Sequence, residues 1–256
     1  YRRGFFDDGT PLGSAQSEEC RIDAIAQSWA VLSGGAAPAR AATAMDESYR
    51  QLIRPTDNLA LLFTLPFDKT AKDPGYIKAY PPGIRENGGQ YTHGAIWSIF
   101  ANAELGQAER ALELFWILNP INHSSTEADA RIYRVEPYVI AADVYSMPPH
   151  VGRGGWTWYT GSAGWMYRAG LEAILGVTRK GPLLRIKPCI PDDWDGFEVA
   201  MQFGSTRYEI KLARRGSGTD QMSSDVQVLS PREFLISLKD EGGTCRIELS
   251  LAEHNI

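Results

Sequence analysis

Two glycine-rich segments carry the side chains best suited to chemistry. The first, Glu86-Asn87-Gly88-Gly89-Gln90-Tyr91-Thr92-His93, sets an acid, amides and a histidine just ahead of an apolar run. Its paired glycines allow positive φ or a close approach of backbone to a ligand. The second, Gly152 to Ser162, mixes glycines with Trp156, Trp158 and Tyr159, then enters Thr160-Gly161-Ser162 at the start of a helical pattern. Flat aromatic faces suit the apolar faces of sugars. A helix start offers unpaired N–H groups and a positive dipole end to an anion. Each segment also has a plainer reading, in which Thr92 and Thr160 are ordinary helix N-caps and Trp156 and Trp158 are core residues. The glycines lack the G-x-G-x-x-G spacing after a strand, which argues against a nucleotide site.

Other candidates are weaker. Asn119-Pro120-Ile121-Asn122-His123 closes an apolar helix at a proline and reads as a turn. Glu136 and Asp143 lie among apolar residues, and acids there need partners, so both are candidates for a pocket wall. Asp7-Asp8-Gly9 reads as a turn and Glu18-Glu19 as the acidic first turn of a helix. The four histidines (His93, His123, His150, His254) never fall three to five residues apart, so no metal is expected. Three widely spaced cysteines, Cys20, Cys189 and Cys245, form no CxxC pair and favour a reducing compartment over a disulfide framework. The net charge of −5 comes without a basic stripe, which argues against nucleic acid. Lys211, Arg214 and Arg215 read as the solvated end of a strand. No apolar run approaches the ~20 residues of a membrane span, and no signal peptide is visible. The opening Tyr1-Arg2-Arg3-Gly4-Phe5-Phe6 reads as the start of a piece of a longer protein.

These segments must be positioned by the elements between them. Apolar spacing predicts helices over 20–33, 37–53, 92–104, 107–118 and 160–175, with a shorter one at 136–145. Loops rich in Gly, Pro and aromatics lie at 64–91, 119–135 and 146–160, longer than compact domains usually leave without a function. After Gly181 the period changes to two. Phe197, Val199, Met201 and Phe203 alternate with polar or small residues, as do Tyr208, Ile210 and Leu212. Further strand-like runs are 184–189, 225–229, 232–238 and 244–250, an antiparallel pattern of half-buried strands.

Longer motifs bring these pieces together: FFDDGTPLGS (5–14), ECRIDAIAQSWAVLSG (19–34), DPGYIKAYPPGIRENGGQYTHGAIW (73–97), LNPINH (118–123), YRVEPYVIAADVYSMPPHVGRGGWTWYTGSAGWMYR (133–168) and PCIPDDW (188–194). Together they resemble glycoside hydrolase family 94, the cellobiose and chitobiose phosphorylases. In particular they are similar to the phosphorylase-like C-terminal region of cyclic β-1,2-glucan synthases. The resemblance implies a mainly α fold with a β domain: part of an (α/α)6 barrel over 1–178, followed by an antiparallel β-sandwich over 179–256.

The resemblance also implies chemistry. His93, Thr160 and Gly161 would bind the attacking phosphate, and Glu86 the acceptor-side sugar, with Arg85, Tyr80 and Trp156 on the same wall. The implied reaction is direct displacement with inversion, phosphorolysis of a β-linked gluco-oligosaccharide to a sugar 1-phosphate. Because the nucleophile is already an anion, the site needs donors and positive potential where an inverting hydrolase needs a base. The general acid that must protonate the leaving oxygen is an aspartate of a D-W-N-D segment in the family. That segment is absent here, so no catalytic residue is expected in this chain and the isolated piece is expected to be inactive. No cofactor is implied beyond phosphate as co-substrate. The expected partners are the glucan, phosphate, the upstream remainder of the barrel and a second copy through self-association. The parent is expected at the cytoplasmic face of a bacterial inner membrane. A non-catalytic carbohydrate-binding module and an inverting glucosidase remain open alternatives.

Overall fold

The computed structural model describes residues 1–214 and 225–251, so Arg215 and His254 lie outside the described residues. Contacts divide the chain into two compact units, Tyr1–Ala169 and Gly170–Ile256. The boundary expected after residue 178 falls inside the strand Val177–Lys180 of the second unit.

Helices of the first unit are α1 (Ala24–Leu32), α2 (Pro38–Leu52), α3 (Thr92–Glu104), α4 (Ala108–Leu118), α5 (Glu127–Tyr133) and α6 (Thr160–Arg168). The Asp23 carboxylate caps α1 by accepting the Ala26 N–H at 3.1 Å. Gly34, at φ 68°, follows the end of α1. Pro38 opens α2, where its missing N–H costs nothing. α3 is the hub of this unit. It packs against α1, α4 and α6 and buries Ala95, Ile96, Ile99 and Ala101. A buried hydrogen bond of 3.0 Å joins Ser28 on α1 to Ser98 on α3. Cys20, Leu62, Phe63, Phe67 and Ile77 form a core under the long 64–91 loop. Short strand pairs stitch distant segments together, among them Ile22–Asp23 with Phe63–Thr64 and Gln90–Tyr91 with Asp143–Val144.

Several expectations change here. The segment 136–145 is not helical, because Pro137 interrupts it and Asp143–Val144 is drawn into the strand pair. The helix lies earlier, at α5, inside the expected 119–135 loop. Thr126 starts it: its hydroxyl oxygen accepts the Asp129 N–H at 3.2 Å and donates to the Asp129 carboxylate at 2.6 Å. Glu19 does not begin a helix. Its carboxylate gathers the backbone N–H groups of Asp68, Lys69 and Thr70 at 2.8–3.1 Å and so pins that loop. Thr92 and Thr160 are first helical residues and not caps, since the N-cap positions are Tyr91 and Tyr159, neither of which caps with its side chain.

The helix expected over 160–175 ends as an α-helix at Arg168 and continues as a wider turn, Ala169–Ile174, and the strands that follow it form the second unit. One sheet has the antiparallel order Val226–Ser230, Glu233–Ser237, Leu183–Ile186, Val177–Lys180. The other pairs Gly196–Phe203 with Thr206–Ala213 antiparallel, and Thr206–Ala213 with Gly243–Ser250 parallel. The parallel pair corrects the all-antiparallel expectation. Between these two strands the chain contributes Val226–Ser230 and Glu233–Ser237 to the first sheet, a crossover long enough to return the last strand in the same direction. Tyr208, Ile210 and Leu212 are buried, while Arg207 and Lys211 on the same strand are exposed. Of the cluster read as the solvated end of a strand, Lys211 is exposed, whereas Arg214 donates to the carbonyls of Ile190, Pro191 and Trp194 and pairs with Asp192 at 2.8 Å.

Among the described residues no helix is long and apolar enough to cross a membrane, and no His/Cys/Asp/Glu group could hold a metal.

Candidate sugar and phosphate site

His93 occupies the first turn of α3, and the packing of α6 on α3 brings the start of α6 to it. A Cβ built on Gly161 would stand 3.6 Å from His93 Nδ1 and Cε1, so the second residue of α6 lies flat against the imidazole. Trp97, one turn along α3, and Trp165 on α6 complete the enclosure, with ring centroids 4.9 and 5.9 Å from His93. His93 Nε2 is buried and unpaired. Burial lowers the His93 pKa from its ordinary value, so at neutral pH the ring is uncharged and has one N–H to donate. Thr160 is exposed at the start of α6. The spatial grouping of His93, Thr160 and Gly161 thus follows from the packing of two helices whose first residues, Thr92 and Thr160, are 68 residues apart in sequence.

Arg85 is the centre of a second group. Its guanidinium carbon lies 5.6 Å from the Tyr80 ring centroid and 5.8 Å from those of Trp156 and Tyr159. Its Nε stands 3.5 Å from Glu86 Oε2. Burial works against the Arg85 charge, but Tyr159, Glu86, Tyr80 and Asp143 outweigh it and hold the pKa above its ordinary value. Tyr80, Arg85, Glu86 and Trp156 are therefore one wall. Trp156 and Trp158 are 61% and 67% exposed, so neither is a core residue. Trp158 donates its indole N–H to Glu136 at 3.2 Å.

The glycines and amides of the first motif hold this wall in shape. Asn87 is fully buried; its Oδ1 accepts the Phe67 N–H at 2.7 Å and its Nδ2 donates to the carbonyls of Phe67 and Tyr80. Gly88 needs its φ of 77°. A Cβ on Gly89 would fall 2.9 Å from the Gly83 carbonyl oxygen. The close backbone approach expected of these glycines is thus to other backbone. Asp143, fully buried, ties the two loops together by accepting the N–H of Arg85 on Oδ2 at 3.1 Å and that of Trp156 on Oδ1 at 3.3 Å. Burial raises the Asp143 pKa, against the pull of those two N–H groups and of the Arg85 charge.

Buried polar side-chain atoms without a partner cost ~1–3 kcal/mol each. Among the described residues the atoms without a hydrogen-bond partner are Arg85 Nε and Glu86 Oε2 (an ion pair without hydrogen-bond geometry), Thr92 Oγ1, His93 Nε2, Trp97 Nε1 and Asn102 Oδ1. All but the last belong to residues 85–97. Donors outnumber acceptors there, which suits an oxygen-rich anionic or hydroxylated ligand. Tyr159, Trp97, Trp165 and the Thr92 hydroxyl were not among the expected site residues. The spacing of Trp97 four residues after His93 was the available signal. His123, by contrast, is structural: its ring is buried, 2.7 Å from the Ile117 carbonyl oxygen and stacked on Tyr133.

The glycosyl hydrolase 94 superfamily catalytic domain matches residues 1–176, and the chain belongs to that family. It is 53% identical over 214 residues, 84% of its length, to the cyclic beta-(1,2)-glucan synthase NdvB of Rhizobium meliloti, of which it spans 8%. It is 33% identical to an N,N'-diacetylchitobiose phosphorylase of Vibrio furnissii, covering 83% of this chain and 26% of that protein. A solabiose phosphorylase of Paenibacillus borealis is 32% identical over 84% of this chain and 28% of its own length. The chain thus spans between about a tenth and about a quarter of these relatives.

Proposed function

We propose that this chain provides the anion seat and one sugar wall of a phosphorylase-type site that transfers a glucosyl unit from a β-linked gluco-oligosaccharide to phosphate. The observation carrying this reading is the run of unpaired buried polar atoms over residues 85–97, with Gly161 set against His93. His93 and the N–H groups at the start of α6, with Thr160 and Gly161, hold the phosphate. Glu86, Arg85, Tyr80 and Trp156 hold the acceptor-side sugar. Phosphate attacks the anomeric carbon from the face opposite the leaving oxygen, giving α-glucose 1-phosphate from a β-glucoside. No carboxylate base is needed for an anionic nucleophile, and we assign no residue of this chain to the general acid.

In this reading the first unit is part of an (α/α)6 barrel and the second a β-sandwich. The resemblance to a glucan synthase favours a β-1,2-glucan as donor and a membrane-bound parent with this region at its cytoplasmic face, where it controls chain length. The test is release of glucose 1-phosphate from β-1,2-glucans by the parent protein in phosphate, with His93→Ala expected to lower it at least a hundredfold. No release across a panel of β-linked glucobioses rejects the reading.

The exposure of Trp156, Trp158 and Tyr138, at 61%, 67% and 76%, favours a second reading, a module that only binds glucan. Glucan binding indifferent to phosphate and to His93→Ala selects it.

A further inference from the structure

A cleft of about 580 Å³ opens between the end of α5 and the segment 147–153. It is lined by Arg131, Arg134, His150 and Arg153, with Ile132 and Pro149 among its apolar contacts, and by none of the wall or seat residues above. We propose that this cleft binds a phosphate group, carried by inorganic phosphate or by a phosphate monoester.

Three observations carry the assignment. The first is charge. In a chain of net charge −5, three arginines and a histidine line one concavity. Arg131 is paired with Glu127 at 2.5 Å, but among the described residues no carboxylate pairs with Arg134 or Arg153. The partial negative charge at the end of α5 accounts for Arg131 and Arg134 being there. It does not account for Arg153 and His150, which come from the opposite wall.

The second is rigidity. Arg134 sits at the cap of α5 in a left-handed conformation (φ 57°), with its Nε bonded to the Arg131 carbonyl at 2.9 Å. The Gly154 N–H donates to the Tyr133 carbonyl at 2.9 Å and the Gly152 N–H to Tyr145 at 2.9 Å, so the loop is tied to the helix end. A Cβ on Gly152 would meet Ile132 Cγ2 at 3.1 Å, so the walls are also in close contact. Cations crowded together on tethered walls repel one another at a fixed cost, which a bound anion relieves.

The third is fit. A phosphate monoester is dianionic near neutral pH and offers three terminal oxygens, enough for more than one guanidinium fork. A carboxylate fills only one. The volume lies within the range of small-molecule sites, roughly 300–1,000 Å³, and leaves room for a sugar-sized substituent. Inorganic phosphate and a sugar phosphate share this chemistry, and the inference does not depend on phosphorolysis at His93.

The experiment is calorimetric titration of the 256-residue chain carrying His93→Ala, in about 150 mM salt, where surface charge is largely screened. The titrants are glucose 1-phosphate, inorganic phosphate and glucuronate. Saturable binding of either phosphate compound is expected, with glucuronate at least tenfold weaker. Tighter binding of glucose 1-phosphate than of inorganic phosphate identifies a sugar phosphate as the ligand, and the reverse identifies free phosphate. Arg134→Gln with Arg153→Gln should weaken binding at least tenfold. Circular dichroism checks the fold of that variant, and Arg153→Gln or His150→Gln alone replaces it if it unfolds. Absence of saturable binding overturns the proposal, as does equal affinity for glucuronate or affinity unchanged in the folded variants. Failure of the phosphorylase reading shows in the parent's turnover and leaves these titrations intact.

Discussion

Arg85 donates its backbone N–H to the buried carboxylate of Asp143, which lies 58 residues later in the chain. The same carboxylate holds Trp156 through its other oxygen, so a single side chain sets the spacing between the two loops proposed to hold a sugar.

Asp143→Ala should therefore cost more than an ordinary buried truncation. It leaves two part-buried backbone donors without their acceptor, each worth ~1–3 kcal/mol. Urea unfolding should show a loss of about 2–4 kcal/mol on this basis, while Asp143→Asn, which keeps one acceptor, should lose about half of that. In the parent enzyme the KM for the acceptor sugar should rise more than the KM for phosphate. Equal stability of all three forms would contradict the clamp.

Two glycines ten residues or fewer apart should respond oppositely to alanine. At Gly155 a Cβ would fall 2.2 Å from Asp143 Oδ1, so Gly155→Ala should destabilise the fold by roughly 2 kcal/mol or more. At Gly161 the Cβ would meet His93 at 3.6 Å, an ordinary contact. Gly161→Ala should fold normally and weaken phosphate binding about tenfold by filling the seat. Thermal melts and phosphate titration separate the two effects.

Acid should weaken the fold starting near pH 6.5. Burial lowers the pKa of both His93 and His123 from 6.5, against a weaker upward pull on His123 from the Ile117 carbonyl and Asp129. Between the lowered folded values and 6.5 the unfolded chain binds more protons, so stability rises with pH through that window and falls as pH drops through it. Thermal midpoints at pH 7.5 should exceed those at pH 5.5, and His123→Gln should flatten the difference. A midpoint independent of pH over this range would refute the assignment.

Self-association should be visible for the isolated chain. Trp116, Ile121 and Ile132 are 48%, 62% and 54% exposed, apolar side chains that a second copy would cover. Sedimentation velocity should show the mean mass rising with concentration in the micromolar range, and a constant monomer mass would exclude it.

How much of this was legible differs by element. α1 to α4 follow long apolar periods, and their ends fall within a few residues of the pattern. α5 was missed because it buries only Tyr133 and so has no periodicity to read; the usable signal was Thr126 three residues before Asp129. The helix expected over 136–145 failed because its apolar residues serve loop packing and a two-residue strand. The parallel strand pair was invisible, since alternation reports burial and not direction. At the site, Thr160-Gly161 beside His93 and Arg85 beside Trp156 were readable as motifs, although not as neighbours. The clamp by Asp143 and the indole box of Trp97 and Trp165 depend on contacts between distant segments, which local pattern does not encode.

The start of α6 carries no side-chain cap, so in the proposed seat beside His93 its main-chain N–H groups are left for the anion. Main-chain groups persist through nearly any substitution, whereas the aromatic rim that meets the sugar is all side chain. In the proposed site, drift in the rim can therefore exchange one glycoside for another while the main-chain part of the anion seat is retained. Selectivity and reactivity are separable traits in such a scaffold, and directed evolution of the rim alone should alter the sugar accepted without rebuilding the nucleophile's berth.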